Sequence, residues 1–220
     1  MKNRRNVSNK TVAILLALVL AIGCAVGGTL AWLISKTEPV VNTFTYGDIN
    51  IDLYEHEYNA SENNLEKSKV KSVDNYKIIP GVDLPKDPTV EVKANSEACW
   101  LFVKVKEENW PTFTDADKTK KVSYHIADGW AALDSQPGVY YREVDAAAAK
   151  AGESYYILKG NTTYANGVVT VSENLTKTEV DQLKKNSPTL TFKAYAVQKD
   201  GIKDADAAWK QIADSTTTKP

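Results

Sequence analysis

The sequence predicts an all-β sandwich with a few short peripheral helices, and three observations predict it. Short runs rich in Val, Ile, Thr, Tyr and Phe recur with turn residues between them. Several of these runs alternate apolar and polar residues with a period of two. Helical periodicity is confined to short stretches, chiefly near the C-terminus.

The chain opens with Lys2, Arg4, Arg5 and Lys10, followed by an apolar run from Val12 to Val26. A basic start before an apolar run is the pattern of an export signal, read here as an N-terminal signal helix. Thr29 and Ala31 occupy the −3 and −1 positions of a cut between Ala31 and Trp32. Two alternatives stay open. Extended through Ile34, the run is long enough for a retained anchor, which needs ~20 apolar residues. Ile22-Gly23-Cys24 also partly matches a lipidation site, with Ala21 where Leu would stand.

Cleavage removes four of the 27 basic residues and none of the 28 acidic ones, leaving a mature charge of −5. A mildly acidic chain without a basic patch argues against nucleic acid as a partner. Cys99 is then the sole cysteine, so no intramolecular bridge can form. The hydrophobic core must hold the fold, and a buried inert thiol is the expectation for Cys99.

Residues 32–46 form an arm with apolar positions at Trp32, Leu33, Ile34, Val40, Val41, Phe44 and Tyr46, which reads either as a strand donated to a neighbouring copy or as the first strand of its own domain. Residues 47–212 are the expected sandwich domain and 213–220 a disordered tail. Within the domain, Ile49, Ile51 and Leu53 alternate with Asn50 and Asp52. Residues 55–75 are polar and predict a long loop. Val90 and Val92 alternate with Glu91 and Lys93. Leu101, Val103 and Val105 make one face of a strand whose other face changes from Trp100 and Phe102 to Lys104 and Lys106. Such a strand is buried on both sides at one end and wet at the other.

Tyr140-Tyr141 and Tyr155 to Leu158 are β-prone. Asn166-Gly167 predicts a two-residue hairpin between Tyr164-Ala165 and Val168–Val171. Thr176 and Glu179 form a capping box opening a helix through Leu183, which Asn186-Ser187-Pro188 stops. Asp145 to Lys150 predicts a turn or two of helix before Gly152. Leu190, Phe192, Ala194 and Ala196 alternate as a closing strand. Ala205, Ala208, Trp209 and Ile212 fall at i, i+3, i+4 and i+7, a terminal helix that packs Trp209 onto the body.

Catalytic chemistry finds little footing. The two histidines are His56 and His125. His56-Glu57-Tyr58-Asn59-Ala60 begins like a helical zinc motif but has Ala60 where the second His should stand. Its tract reads as a solvated loop, and His125 as a half-buried strand histidine. Asp115-Ala116-Asp117 and Asp204-Ala205-Asp206 lack the Gly and distal Glu of a calcium loop and read as turn and cap acids. Trp100, Trp110 and Trp130 read first as packing aromatics, with a carbohydrate platform as the alternative. No catalytic residue, metal site or cofactor is expected.

Several stretches together resemble a known family. Gly27 to Ala31 followed by Asn42-Thr43-Phe44-Thr45-Tyr46-Gly47-Asp48-Ile49 resembles the SipW-dependent secreted proteins of Gram-positive bacteria, the TasA/camelysin family. Ile79-Pro80-Gly81 with Lys86-Asp87-Pro88-Thr89-Val90 is similar to that family's strand entry. Cys99 to Val105 resembles the next strand, and Leu190 to Gln198 with Ala207-Ala208-Trp209 the closing strand and helix.

The resemblance implies a jelly-roll-like sandwich and signal removal before Trp32 by a dedicated signal peptidase. It implies a secreted protein, extracellular or on the cell surface, that forms biofilm fibres. In such fibres, an N-terminal segment completes the next subunit's sheet. The partners would be further copies of the chain and other matrix or surface proteins. Camelysins are described as metallopeptidases, so an extracellular metallopeptidase is an alternative, as is a monomeric adhesin or carbohydrate-binding module.

Overall fold

In a computed structural model, the chain is described over residues 49–73 and 76–217. The signal segment, Ala31, Trp32 and the rest of the arm to Tyr46 lie outside the described residues.

The described chain is an all-β sandwich with a few short helices. Its strands, in order, are β1 (Ile51–Asn59), β2 (Asn64–Val70), β3 (Leu84–Pro85), β4 (Thr89–Val92), β5 (Cys99–Glu108) and β6 (Val122–Tyr124). There follow β7 (Ala131–Ala132), β8 (Val139–Val144), β9 (Glu153–Tyr156), β10 (Val168–Val171) and β11 (Thr189–Gln198). Helix α1 (Ala146–Ala151) precedes β9, α2 (Lys177–Asn186) precedes β11, and α3 (Ala205–Thr217) closes the chain. Every described pairing is antiparallel. One sheet runs β2-β1-β4-β9, a second β11-β5-β8-β7, and a smaller third β3-β10-β6.

Strand β5 organises both layers. It pairs with β11 over its full length, from Cys99↔Gln198 to Glu108↔Thr189. Cys99, Leu101 and Val103 are completely buried on its inner face. They pack with Ile51, Leu53, Val90 and Val92 of the first sheet. The outer face begins with Trp100 and Phe102 and turns to exposed Lys104 and Lys106, as the pattern predicts.

Helix α3 covers that outer aromatic end. Trp209 lies 5.3 Å from Phe102 and 5.5 Å, edge-on, from Tyr195 between ring centroids. Ala205, Ala208 and Ile212 are buried alongside. Asp204 accepts from the Ala207 N–H at 2.9 Å and so caps the helix start. The helix runs on to Thr217, through residues expected to belong to a disordered tail from 213. No Gly or Pro interrupts residues 202–219, which is why the helix continues.

The third sheet packs Leu84, Val122, Val169 and Val171 against Leu175 and Leu183 of the α2 region. The predicted capping box is present: Thr176 accepts from Glu179 N–H at 3.3 Å, and Glu179 accepts from Thr176 N–H at 2.7 Å. Ser187, at φ +46°, ends α2 before Pro188. Helix α1 is capped by Asp145 and ended by Gly152, where a Cβ would stand 2.8 Å from the Ala94 nitrogen.

Two expectations are overturned. Residues 55–75 are largely strand, comprising most of β1 and all of β2. β2 is an outer strand with polar residues on both faces, so backbone pairing alone defines it and apolar periodicity cannot reveal it. Asn166-Gly167 closes no hairpin. Val168–Val171 pairs with β3 and β6 instead. Gly167, at φ +146°, lies so close to Lys86 that a Cβ would meet its carbonyl oxygen at 2.2 Å. Here glycine is needed for close approach rather than for a turn.

Truncating Trp209 removes the largest side chain joining α3 to β5. Trp209→Ala should cost about 3–5 kcal/mol. The test is the urea midpoint of unfolding, with an unchanged m-value if the change acts on stability alone.

Candidate functional site

A groove opens where the two main sheets part. On the inner face of β11, Ala194 and Ala196 are fully buried and small, and the core closes tightly around them. Towards the start of β11 the layers separate into a groove of about 520 Å³. Leu53, Tyr54 and Glu55 of β1 line it, facing Leu190, Thr191 and Phe192 of β11. Val180 and Leu183 of α2, with Tyr76, Leu84 and Val169, complete its apolar walls.

Its floor holds a buried ion pair. Lys86 Nζ donates to both carboxylate oxygens of Glu55 at 2.9 Å. Lys86 is 7% and Glu55 8% exposed, so water screens the pair poorly. The ammonium lies 4.8 Å from the Tyr76 ring and 5.7 Å from that of Phe192. Tyr76 turns a buried hydroxyl towards this region without a hydrogen-bond partner. Burial first, then the Glu55 and Asp87 carboxylates, push its phenol pKa far upward, so it remains a donor.

Edge strands show why this place is distinctive. Among the described residues, three sheets give six outer strands: β2, β9, β3, β6, β11 and β7. Four of them have two to four residues. β2 has seven residues, carries Glu66, Lys67 and Lys69, and pairs irregularly with β1. Charge and irregular pairing discourage a new strand from adding there. β11 has ten residues, and its first half, Thr189–Lys193, borders the groove.

The histidines stand elsewhere than expected. His56 lies on β1, not in a loop, with Nδ1 2.6 Å from Asp87 Oδ2. Asp87 Oδ1 also accepts the His56 backbone N–H at 3.0 Å. Asp87 is 31 residues away, so no local pattern announces the pair. Lys86-Asp87, legible only as a strand entry, thus anchors two consecutive residues of β1. His125 follows β6 and is exposed rather than half-buried. Among the described residues, no group of three or more His, Cys, Asp or Glu is placed to hold a metal ion. No helix among them is long and apolar enough to cross a membrane.

The acidic pairs act as turn and cap groups, Asp117 accepting from Thr119 N–H and Asp204 from Ala207 N–H. Cys99 is completely buried, and that burial pushes its thiol pKa up to about 12. Arg142 of β8 is half-buried, its guanidinium 3.8 Å from the Tyr155 ring and 5.4 Å from that of Trp130. Desolvation lowers its pKa. Among families, curated proteins and solved structures, none matches this chain.

Two outcomes follow from this chemistry. Glu55→Leu strands the Lys86 charge and should cost about 3–5 kcal/mol, whereas adding Lys86→Met should restore most of the loss. A double-mutant cycle by urea unfolding measures both. Native Cys99 should resist a thiol reagent at pH 8 and react at full stoichiometry once urea unfolds the chain, because thiolate is scarce and inaccessible in the fold.

Proposed function

We propose that this is a secreted, non-enzymatic structural protein that self-associates into extracellular fibres or a surface layer. The signal-like start supplies export, with cleavage between Ala31 and Trp32. The arm 32–46 then adds as a strand to a neighbouring copy.

The observation that carries this reading is the groove beside β11. It joins a long outer strand to an apolar trough, the two features that strand addition requires. The arm complements it in chemistry. Residues 39–47, Pro-Val-Val-Asn-Thr-Phe-Thr-Tyr-Gly, carry no charge. Within the groove Glu55 satisfies Lys86, and Lys71 pairs with Asp52; Lys77 and Lys184 line it as well, so the uncharged stretch is matched to its apolar walls alone. Burying Val40, Val41 and Phe44 would contribute roughly 5–9 kcal/mol before the cost of ordering the arm. Each copy would give one arm and receive one, and such head-to-tail contacts extend without closing.

The deciding experiment is negative-stain electron microscopy of 32–220 beside 47–220, each first checked for folding by circular dichroism. Filaments should form from the longer chain and be absent from the shorter one. Leu190→Asp, at the groove wall, should abolish them in the longer chain. Two folded monomers would reject the proposal.

A further inference from the structure

A second, smaller cleft shares Trp110 with the groove and has a different chemistry. Its volume is about 280 Å³. Trp110, Tyr124 and Tyr140 supply half-buried aromatic rings. Glu107, at the end of β5, and Lys120, Ser123 and His125, around β6, supply polar groups. It forms where the second sheet meets the third.

Internal contacts hold the rings in place. Tyr124 donates its hydroxyl hydrogen to Glu107 Oε1 at 2.6 Å. Trp110 meets the Tyr124 ring edge-on, with centroids 5.5 Å apart. Burial, then the Glu107 carboxylate, pushes the Tyr124 phenol pKa upward, so this donor stays protonated. Glu107 keeps its second carboxylate oxygen for another donor.

The three tryptophans named as carbohydrate candidates part company here. Trp100 lies on the outer face of β5 in the cluster under α3, its indole N–H buried without a partner. Trp130 packs beside the Arg142 guanidinium and donates its indole N–H to the Tyr156 carbonyl at 2.9 Å. Trp110 alone of the three lines a cleft that also presents a carboxylate, an ammonium, a hydroxyl and an imidazole.

We propose that this cleft binds a neutral hexose or N-acetylhexosamine unit of a glycan. Lipid is disfavoured because four of its eight lining side chains are polar or charged. Phosphate is disfavoured because Glu107 offsets Lys120. A sugar ring has an apolar C–H face that packs on aromatic rings and a hydroxyl edge that both donates and accepts. Glu107 accepts from that edge, and Lys120 and Ser123 donate to it. Ligand sites usually begin at roughly 300 Å³, so the cleft is sized for one ring rather than a long chain.

Saturation-transfer difference NMR on the full chain tests this with glucose, galactose and N-acetylglucosamine as separate probes. Transfer to the ring C–H protons of at least one sugar is expected. Glu107→Gln, which preserves a hydrogen-bond acceptor for Tyr124, should weaken binding about ten-fold through loss of a charged acceptor. Trp110→Ala should abolish it. Because Trp110 also walls the groove, the glutamine variant decides the matter if the alanine variant unfolds. Three results would each overturn the proposal: no transfer from any of the three sugars, transfer unchanged in Glu107→Gln, or transfer only from an acidic sugar such as glucuronate.

Discussion

Burial of β5 on both faces is the constraint on which this structure depends. Cys99, Leu101 and Val103 on one face demand a facing sheet, and Trp100 and Phe102 on the other demand a cover. The first demand is met by β1 and β4, the second by α3. Each fully buried Val, Leu or Phe contributes about 1.5–3 kcal/mol, so leaving either face open would remove several such terms from a margin of ~5–15 kcal/mol. The order of elements after β5 follows from this. β8 and β11 flank it, and the chain then turns directly into the helix that seals its outer side.

Side-chain size along β11 sets the shape of the sandwich. Ala194 and Ala196 let the opposing sheet come close, whereas Phe192 and Leu190 belong to the part where the layers separate. A groove in that position would be costly if its floor carried an unpaired charge. Glu55 satisfies Lys86, and Lys86 lies near the faces of Tyr76 and Phe192. His56 and Asp87 make a second link between the same two segments. Consecutive residues of β1 point to opposite faces, so the two links hold both sides of the strand at once. The β1 side of the groove is therefore tied to the Lys86-Asp87 segment at two consecutive residues.

How far these features could be read in advance depended on the range of the interactions that make them. β5, α2 and α3 were legible because a local signal specifies each: the two-faced pattern of residues 99–106, the Thr176/Glu179 box and the Ala205–Ile212 spacing. β2 was not, because Asn64–Val70 becomes a strand only through its partner. Gly167 misled because Asn-Gly marks a hairpin when strands flank it, whereas its neighbour here is the Lys86 carbonyl, 81 positions earlier. The groove was the least legible feature. Its walls come from β1, β3, β10, α2, β11 and the stretch around Tyr76, segments that no local pattern links to one another.

The edge strands bear on stability and on the assembly proposed above. A sheet protein that stays monomeric must blunt its outer strands, and this one does so by shortness at β3, β6, β7 and β9 and by charge at β2. β11 could have been protected in the same way at little cost, since Thr189 and Thr191 tolerate charge in an antiparallel pair whose partners include Glu108 and Lys106. Instead, the residues facing the groove are Leu190, Thr191 and Phe192. Leu190 and Phe192 face the core, so folding accounts for their apolar character; what sets β11 apart among the described edges is its length beside a groove. In the assembly proposed above, an added strand would use that length, and the uncharged stretch 39–47 would be the segment that adds.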